Sequence, residues 1–326
     1  MRRSLIPFIA LAAVAVIAAA SATSPAAKSP GLNGKIVTNS DNLVTGTEQV
    51  YTVDPNGTNE HLVADNSEVG QWSPDGTRIT LFGDLGELLF NVDDGSSVNL
   101  GLPGDLYPDL ALFCSVWSPD GARLACEGFG QTDGSLNGVY TLRASDGGDL
   151  QRVTYEPNGD DCPSDYSPNG NRLVVTRTND DNTIHEIDTV KLDGSGMKRI
   201  TPPGMNDFNF CNGSWSPQGN QIVFSAHVPN LANHSSVWVV HFDGSGLRRL
   251  PIAGPCGGPF SDPLAYGCLN PAWSPEGSKI AFARNRGNDP QDLYTVNADG
   301  SGLFKVTNTP DIAEFNGDWG THPVTR

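Results

Sequence analysis

The sequence predicts an all-β protein: a six-bladed β-propeller of four-stranded antiparallel blades, closed by pairing of its N- and C-terminal strands. Three observations predict it. A Trp-Ser-Pro-Asp-Gly step at 72–76 returns in close variants at 117–121, 166–170, 215–219 and 273–277, and a degenerate copy sits at 318–320. Its aromatics (Trp72, Trp117, Tyr166, Trp215, Trp273 and Trp319) fall 45, 49, 49, 58 and 46 residues apart, a period that marks a repeat architecture. The 37 glycines and 24 prolines suit many short strands joined by tight turns rather than helices.

Each repeat has one grammar. The aromatic ends a first strand. Pro presets φ in the following turn, and Gly accepts the left-handed backbone that lets the next strand start. Seven positions after the aromatic comes the first large apolar residue of strand two: Ile79, Leu124, Leu173, Ile222 or Ile280. A third strand follows, at 49–53, 88–92, 139–142, 189–192, 237–242 and 292–296. It ends in an Asp-Gly turn, as at 193–196, 243–246 and 299–302. The fourth strand is short and mixes bases with apolar residues, at 197–201, 247–250 and 303–307. Four strands joined as a meander make a propeller blade. The first blade has candidates for its second, third and fourth strands at 34–39, 49–53 and 61–64, and takes its first strand from the residues around Trp319. That closure hides the edges an open ring would expose. The turn acid at position 75 becomes Asp, Asn, Gln and Glu in later copies, which marks it as a turn residue and not a metal ligand.

Residues 1–22 read as an export signal: Arg2 and Arg3, an apolar run from Leu5 to Ala20, and a small-residue cleavage site at Ala20-Ser21-Ala22. The expected domains are this signal, a linker at 23–30 and the propeller at 31–326. The predicted location is therefore periplasmic or secreted, with no stable membrane insertion after cleavage. The chain carries −17, and loss of Arg2 and Arg3 takes it to about −19. Such a surface repels nucleic acid and anionic lipid and tolerates cationic partners.

Six cysteines in an exported chain favour disulfides over metal ligation. Cys114 and Cys126 flank one turn and face each other across a hairpin. Cys162 and Cys211 hold equivalent places, each four residues before its repeat aromatic. Cys256 and Cys268 close one small loop. The expected pairs are 114–126, 162–211 and 256–268.

The full motif, W-S-P-D-G-x-x-I-x-F and then D-G-S-G-L-x-x-L-T, resembles the propeller repeat of the TolB family, the periplasmic component of the Tol system. The resemblance covers residues 31–326. In TolB proper an α/β domain precedes the propeller and contacts other Tol components. This chain is expected to lack it, since only residues 23–30 lie between the signal and the first strand.

Turns between strands one and two, and three and four, are tight. Connections between strands two and three, and between blades, are long and open on one face, which is the expected binding face. Its candidate residues are Asp105, Tyr107, Asp161, Asp165, Phe208, Phe210, Tyr266, Asp311 and Phe315. Aromatic rings interleaved with carboxylates suit sugars, cationic peptide segments or a divalent ion. Asp160, Asp161 and Asp165, and the acids at 179–182, are weak calcium candidates without helix–loop–helix spacing. His227, His234 and His241 recur every seven residues but lie at different ends of one hairpin. No nucleophile elbow, zinc-protease motif or phosphate loop is present. The sequence thus predicts no catalytic residue, metal or cofactor. It predicts a monomeric, non-catalytic binding or scaffold propeller for a protein or glycan of the cell envelope. The alternative is a hydrolase or lyase that processes polysaccharide or peptide with loop carboxylates.

Overall fold

The structure, a computed structural model, describes residues 31–323 apart from 84–85, 101–106, 180–184, 206–210, 228–233, 255, 259–265 and 287–288. The expected signal and linker lie outside these residues. Among the described residues twenty-four strands form six four-stranded antiparallel sheets, with one short 3-10 turn at Gly134–Leu136.

Blade 1 orders as β24 (Ile312–Trp319), β1 (Ile36–Asn42), β2 (Thr47–Val53) and β3 (His61–Asp65). The next four-stranded run is β4 (Ser67–Trp72), β5 (Arg78–Gly83), β6 (Gly86–Asn91) and β7 (Ser97–Asn99). Blade 3 is β8 (Leu110–Trp117), β9 (Arg123–Gly130), β10 (Gly138–Arg143) and β11 (Gln151–Arg152). Blade 4 holds β12 (Gly159–Tyr166), β13 (Arg172–Asn179), β14 (His185–Lys191) and β15 (Lys198–Arg199). Blade 5 holds β16 (Ser214–Trp215), β17 (Gln221–Ala226), β18 (Ser236–His241) and β19 (Arg248–Arg249). The last is β20 (Tyr266–Trp273), β21 (Lys279–Arg286), β22 (Asp292–Asn297) and β23 (Phe304–Lys305).

The recurring turn works through its serine. Arg78 N–H donates to Ser73 Oγ at 2.9 Å, Gly76 N–H to Ser73 O at 2.8 Å, and Ser73 Oγ to Asp75 at 2.6 Å. Gly76 sits at φ 71°, the left-handed region in which a side chain is strained. Ser118 and Ser167 repeat the arrangement with Asp120 and Asn169. Burial pushes the Asp75 carboxyl up, but hydrogen bonds from Ser73 and Thr77 outweigh it and hold the acid below its ordinary value.

The six repeat aromatics are the largest core anchors, and none is more than 4 % exposed. Each belongs to its own apolar cluster, so the core is distributed around the ring. Blades are also clasped by polar groups that precede an aromatic. Trp72 N–H donates to Asp318 Oδ2 (3.0 Å), Trp215 N–H to Asp165 Oδ2 (2.7 Å) and Trp273 N–H to Ser214 Oγ (3.1 Å).

Ring closure follows the expected route. β24 pairs with β1 from Ile36 opposite Trp319 to Asn42 opposite Ile312. Gly34 and Lys35 N–H donate to Gly320 O and His322 O, Trp319 Nε1–H donates to Gly34 O, and His322 stacks on Trp72 at 5.1 Å. All three expected disulfides are formed. Cys114–Cys126 crosses a hairpin, Cys162–Cys211 joins blade 4 to blade 5, and Cys256–Cys268 ties the connection that enters β20. No helix among the described residues is long and apolar enough to cross a membrane.

Candidate functional site

The inner strands β4, β8, β12, β20 and β24 share one irregularity. In each, the register with the neighbouring second strand slips just before the repeat aromatic. The surplus residues are Ser115 in β8 and Ser164 in β12; Gly70-Gln71 and Asn270-Pro271 each oppose a single partner residue. A bulge bends its strand and re-aims the side chains beside it. Here the bulges face the ring axis. In blade 5, whose first strand is short, Asn212 and Gly213 hold the same place.

The product is an axial cavity of about 330 Å³, lined by bulge residues and by Glu68, Phe82, Glu87, Phe113, Glu127 and Asp318 among others. Phe82 pairs with Glu87 beside the β5–β6 connection, so the cavity reaches the end of the ring that carries the two-to-three connections. Phe113 stands there edge-on to both Phe82 (4.7 Å) and Phe129 (5.9 Å). Gln71 Nε2–H crosses towards blade 4 and donates to Ser164 O at 2.8 Å.

Two of the lining carboxyls are unusual. Glu87 is 2 % exposed, and its Oε2 accepts the Cys114 N–H at 3.1 Å. Burial pushes it up to about 8 against that single lowering bond. Glu127 is also pushed up to about 8, by burial and then by the negative charges of Asp160 and Asp161. Both are therefore protonated at neutral pH. Glu68, nearer solvent, is raised by burial and by Glu48 and Asp41.

The residues expected on the binding face have separate fates. Asp161 is fully buried and pairs with Arg177 through two bonds of 2.7 Å, while Arg177 also reaches Glu156 at 3.2 Å. Asp165 is the blade clasp to Trp215. Tyr107 packs on the blade 3 core and donates to Gly147 O. Tyr266 lies under the Arg284 guanidinium at 3.8 Å, and Arg284 in turn donates to Ala253 O and Gly254 O. Phe315 is paired with Asn39 in the closure, and Asp311 is exposed, its carbonyl accepting Leu43 N–H. Asp105, Phe208 and Phe210 lie outside the described residues. None of the described six lines the cavity. Sequence reasoning looked to the connections. The cavity comes instead from strand interiors, where the only local signals are a Gly, Ser or Asn shortly before the aromatic.

Asp161 and Asp165 do not converge as metal ligands, because Arg177 and the Trp215 N–H occupy them. Among the described residues one group has ligand atoms close enough for a metal: Glu127, Cys162 and Cys211, within 4.8 Å of one another. The two cysteines are bonded to each other, which removes them as thiolate donors. His227 is lowered by burial and by nearby His234, while His241 sits at the far end of β18 opposite Gln221.

No family model matches the chain. It is 30% identical over 99 residues to the Tol-Pal system protein TolB of Anaeromyxobacter dehalogenans; that match takes in 30% of this chain and 19% of the relative, so the chain spans about a fifth of that protein. Among solved structures it is similar to TolB from Acinetobacter baumannii, with a TM-score of 0.65 and 17% identity over 88% of this chain and 66% of the other. An oligogalacturonate lyase in complex with manganese shares the fold at a TM-score of 0.55 and 13% identity, over 80% of this chain and 71% of that one. The repeat, the closure and these likenesses together make the chain a TolB-like six-bladed β-propeller.

Proposed function

We propose that this chain is an exported, non-catalytic binding propeller that engages a protein of the cell envelope at the long-loop end of its ring. The observation that carries the reading is the axial cavity: the inner strands of the blades contribute to it, it reaches that end, and an aromatic group stands at its mouth. A rigid ring with a recess and surrounding loops is a scaffold for recognition. The name of the TolB relative, a Tol-Pal system protein, supports a protein partner over a glycan. Export is supported by Arg2 and Arg3 with the apolar run behind them, and by three disulfides, which persist in oxidising compartments. The enzyme alternative has less support, since Asp161 and Asp165 are engaged in structural contacts.

Placing a photo-crosslinking phenylalanine analogue at Phe113, and as a control at Val98 on the outer strand β7, tests the reading in envelope extracts. A discrete adduct from position 113 that is absent from position 98 is the expected result. Equal labelling from both positions, or none, counts against it. Mass spectrometry of the exported protein should place its N-terminus close after Ala22.

A further inference from the structure

We propose that the axial cavity is a receptor for one organic cation, the arginine or lysine side chain of a docking protein segment, with its charged head among Glu87, Glu127 and Ser164. The inference rests on the reading that a protein docks at the long-loop end, and names what that protein must present.

Charge is the first argument. Among the described residues the lining contains four carboxyl groups, Glu68, Glu87, Glu127 and Asp318, and no Lys, Arg or His. Acidic character alone does not make a site, but two orphaned polar atoms point to a ligand. Ser164 is 5 % exposed, and its Oγ has no hydrogen-bond partner among the described residues; Glu127 Oε1 is buried and equally without one there. Buried polar atoms are normally satisfied, so orphans that converge on one cavity mark a place where a donor group is wanted. Glu87 adds a buried carboxyl with one oxygen fixed by Cys114 N–H.

Size and wall chemistry then choose among cations. A space of about 330 Å³ is far larger than a bare metal ion needs and is in the range of small-ligand pockets. Much of the wall is apolar, including Val69, Leu81, Phe82, Phe113, Pro271 and Ala272. Lysine and arginine have this dual character, with an apolar stem below a charged head. A guanidinium or ammonium also supplies only donors, which matches carboxylate and hydroxyl acceptors.

Protonation gives the site a signature. Glu127 has Asp160 and Asp161 behind it, the latter neutralised by Arg177. Glu87 is backed by Phe113 and Cys114, and Glu68 and Asp318 share the cavity. No cation among the described cavity-lining residues competes. An entering cation therefore expels protons from Glu87 and Glu127, and binding tightens as pH rises towards their raised values.

Calorimetric titration of the whole protein with N-acetyl-arginine amide, its neutral citrulline counterpart and calcium chloride tests this, at pH 6.5 and 8.5 and in buffers of different ionisation enthalpy. The arginine amide should bind with proton release and roughly ten-fold more tightly at the higher pH. The citrulline amide should bind at least about ten-fold more weakly. Glu87→Gln and Glu127→Gln keep the shape of groups already neutral at pH 7; each should remove part of the proton release while melting as a folded protein, and Ser164→Ala should weaken binding without changing it. Equal binding of the two amides, unchanged binding in both Gln variants, or binding of calcium with no binding of the arginine amide would each overturn the cation site. Cross-linking at position 113 without arginine binding sinks the cation site alone. Arginine binding without any adduct keeps the site and sinks the partner reading.

Discussion

At the residue scale, Glu87 and Glu127 set a pH response in the free protein. Burial raises both above the ordinary 4.5, so the folded chain retains protons that the unfolded chain gives up. Their stabilising contribution is whole below that ordinary value and is lost as pH climbs to about 8. Thermal melts from pH 5 to 9 should therefore fall more steeply for the native protein than for Glu87→Gln, with a gain for the variant at pH 9 on the order of a few kcal/mol. A variant curve parallel to the native one would contradict the burial argument. Asp165 matters as an acceptor, whose loss leaves the buried Trp215 N–H without it. Asp165→Ala should cost about 1.5–3 kcal/mol in urea unfolding, and Asp165→Asn less. Position and repeat register made Asp161 and Asp165 visible as acids near a long connection. They could not show that Arg177, sixteen residues along the chain from Asp161, and the N–H of the next blade's aromatic would take them out of reach.

At the element scale, the strands were largely written in the sequence, because Pro and Gly at fixed offsets punctuate every repeat. Third strands expected at 139–142 and 292–296 appear as β10 and β22, each longer by one residue or two. Inner strands were less legible. β8 and β20 begin at Leu110 and Tyr266, inside stretches expected to be long between-blade connections, since bulges and aromatic packing carry the pairing further than the apolar pattern does. The bulges themselves, which build the cavity, depend on how two strands register and not on either strand alone. The disulfides were legible through repeat equivalence. Their contributions should differ: Cys162–Cys211 closes 49 residues and is worth about 4 kcal/mol in the chain-entropy picture, against about 3 kcal/mol for the 12-residue Cys256–Cys268 loop. Paired serine substitutions compared by guanidinium unfolding should reproduce that order. The blade 4–5 pair should also change the cavity, because Cys162 and Cys211 line it.

At the scale of the whole molecule, stability depends on completing a circle. Removing residues 312–326 strips blade 1 of its inner strand, exposes the β1 edge, and takes Trp319 and Asp318 from two adjoining blade contacts. The expected outcome is loss of a cooperative melt together with higher-order species in size-exclusion chromatography, since a bare edge pairs with other chains. A monomeric truncated protein with an unchanged melt would show that the closure is dispensable. The outer rim needs no such protection. Its last strands are two or three residues long in five blades, and Arg152, Lys198, Arg199, Arg248, Arg249 and Lys305 stud four of them with charge.

The closure also decides how the molecule can be held. Gly34 and His322 meet beside the Ser73–Gly76 turn, at the opposite end of the ring from Phe82 and Glu87. Both described ends of the chain thus leave from the back of the disc. A surface, label or fusion attached at either end presents the mouth outward and free. Two such attachments on one copy would pull on a single sheet rather than across the ring, so load would unzip the β1–β24 ladder from its Ile36–Trp319 end, one hydrogen-bonded pair at a time.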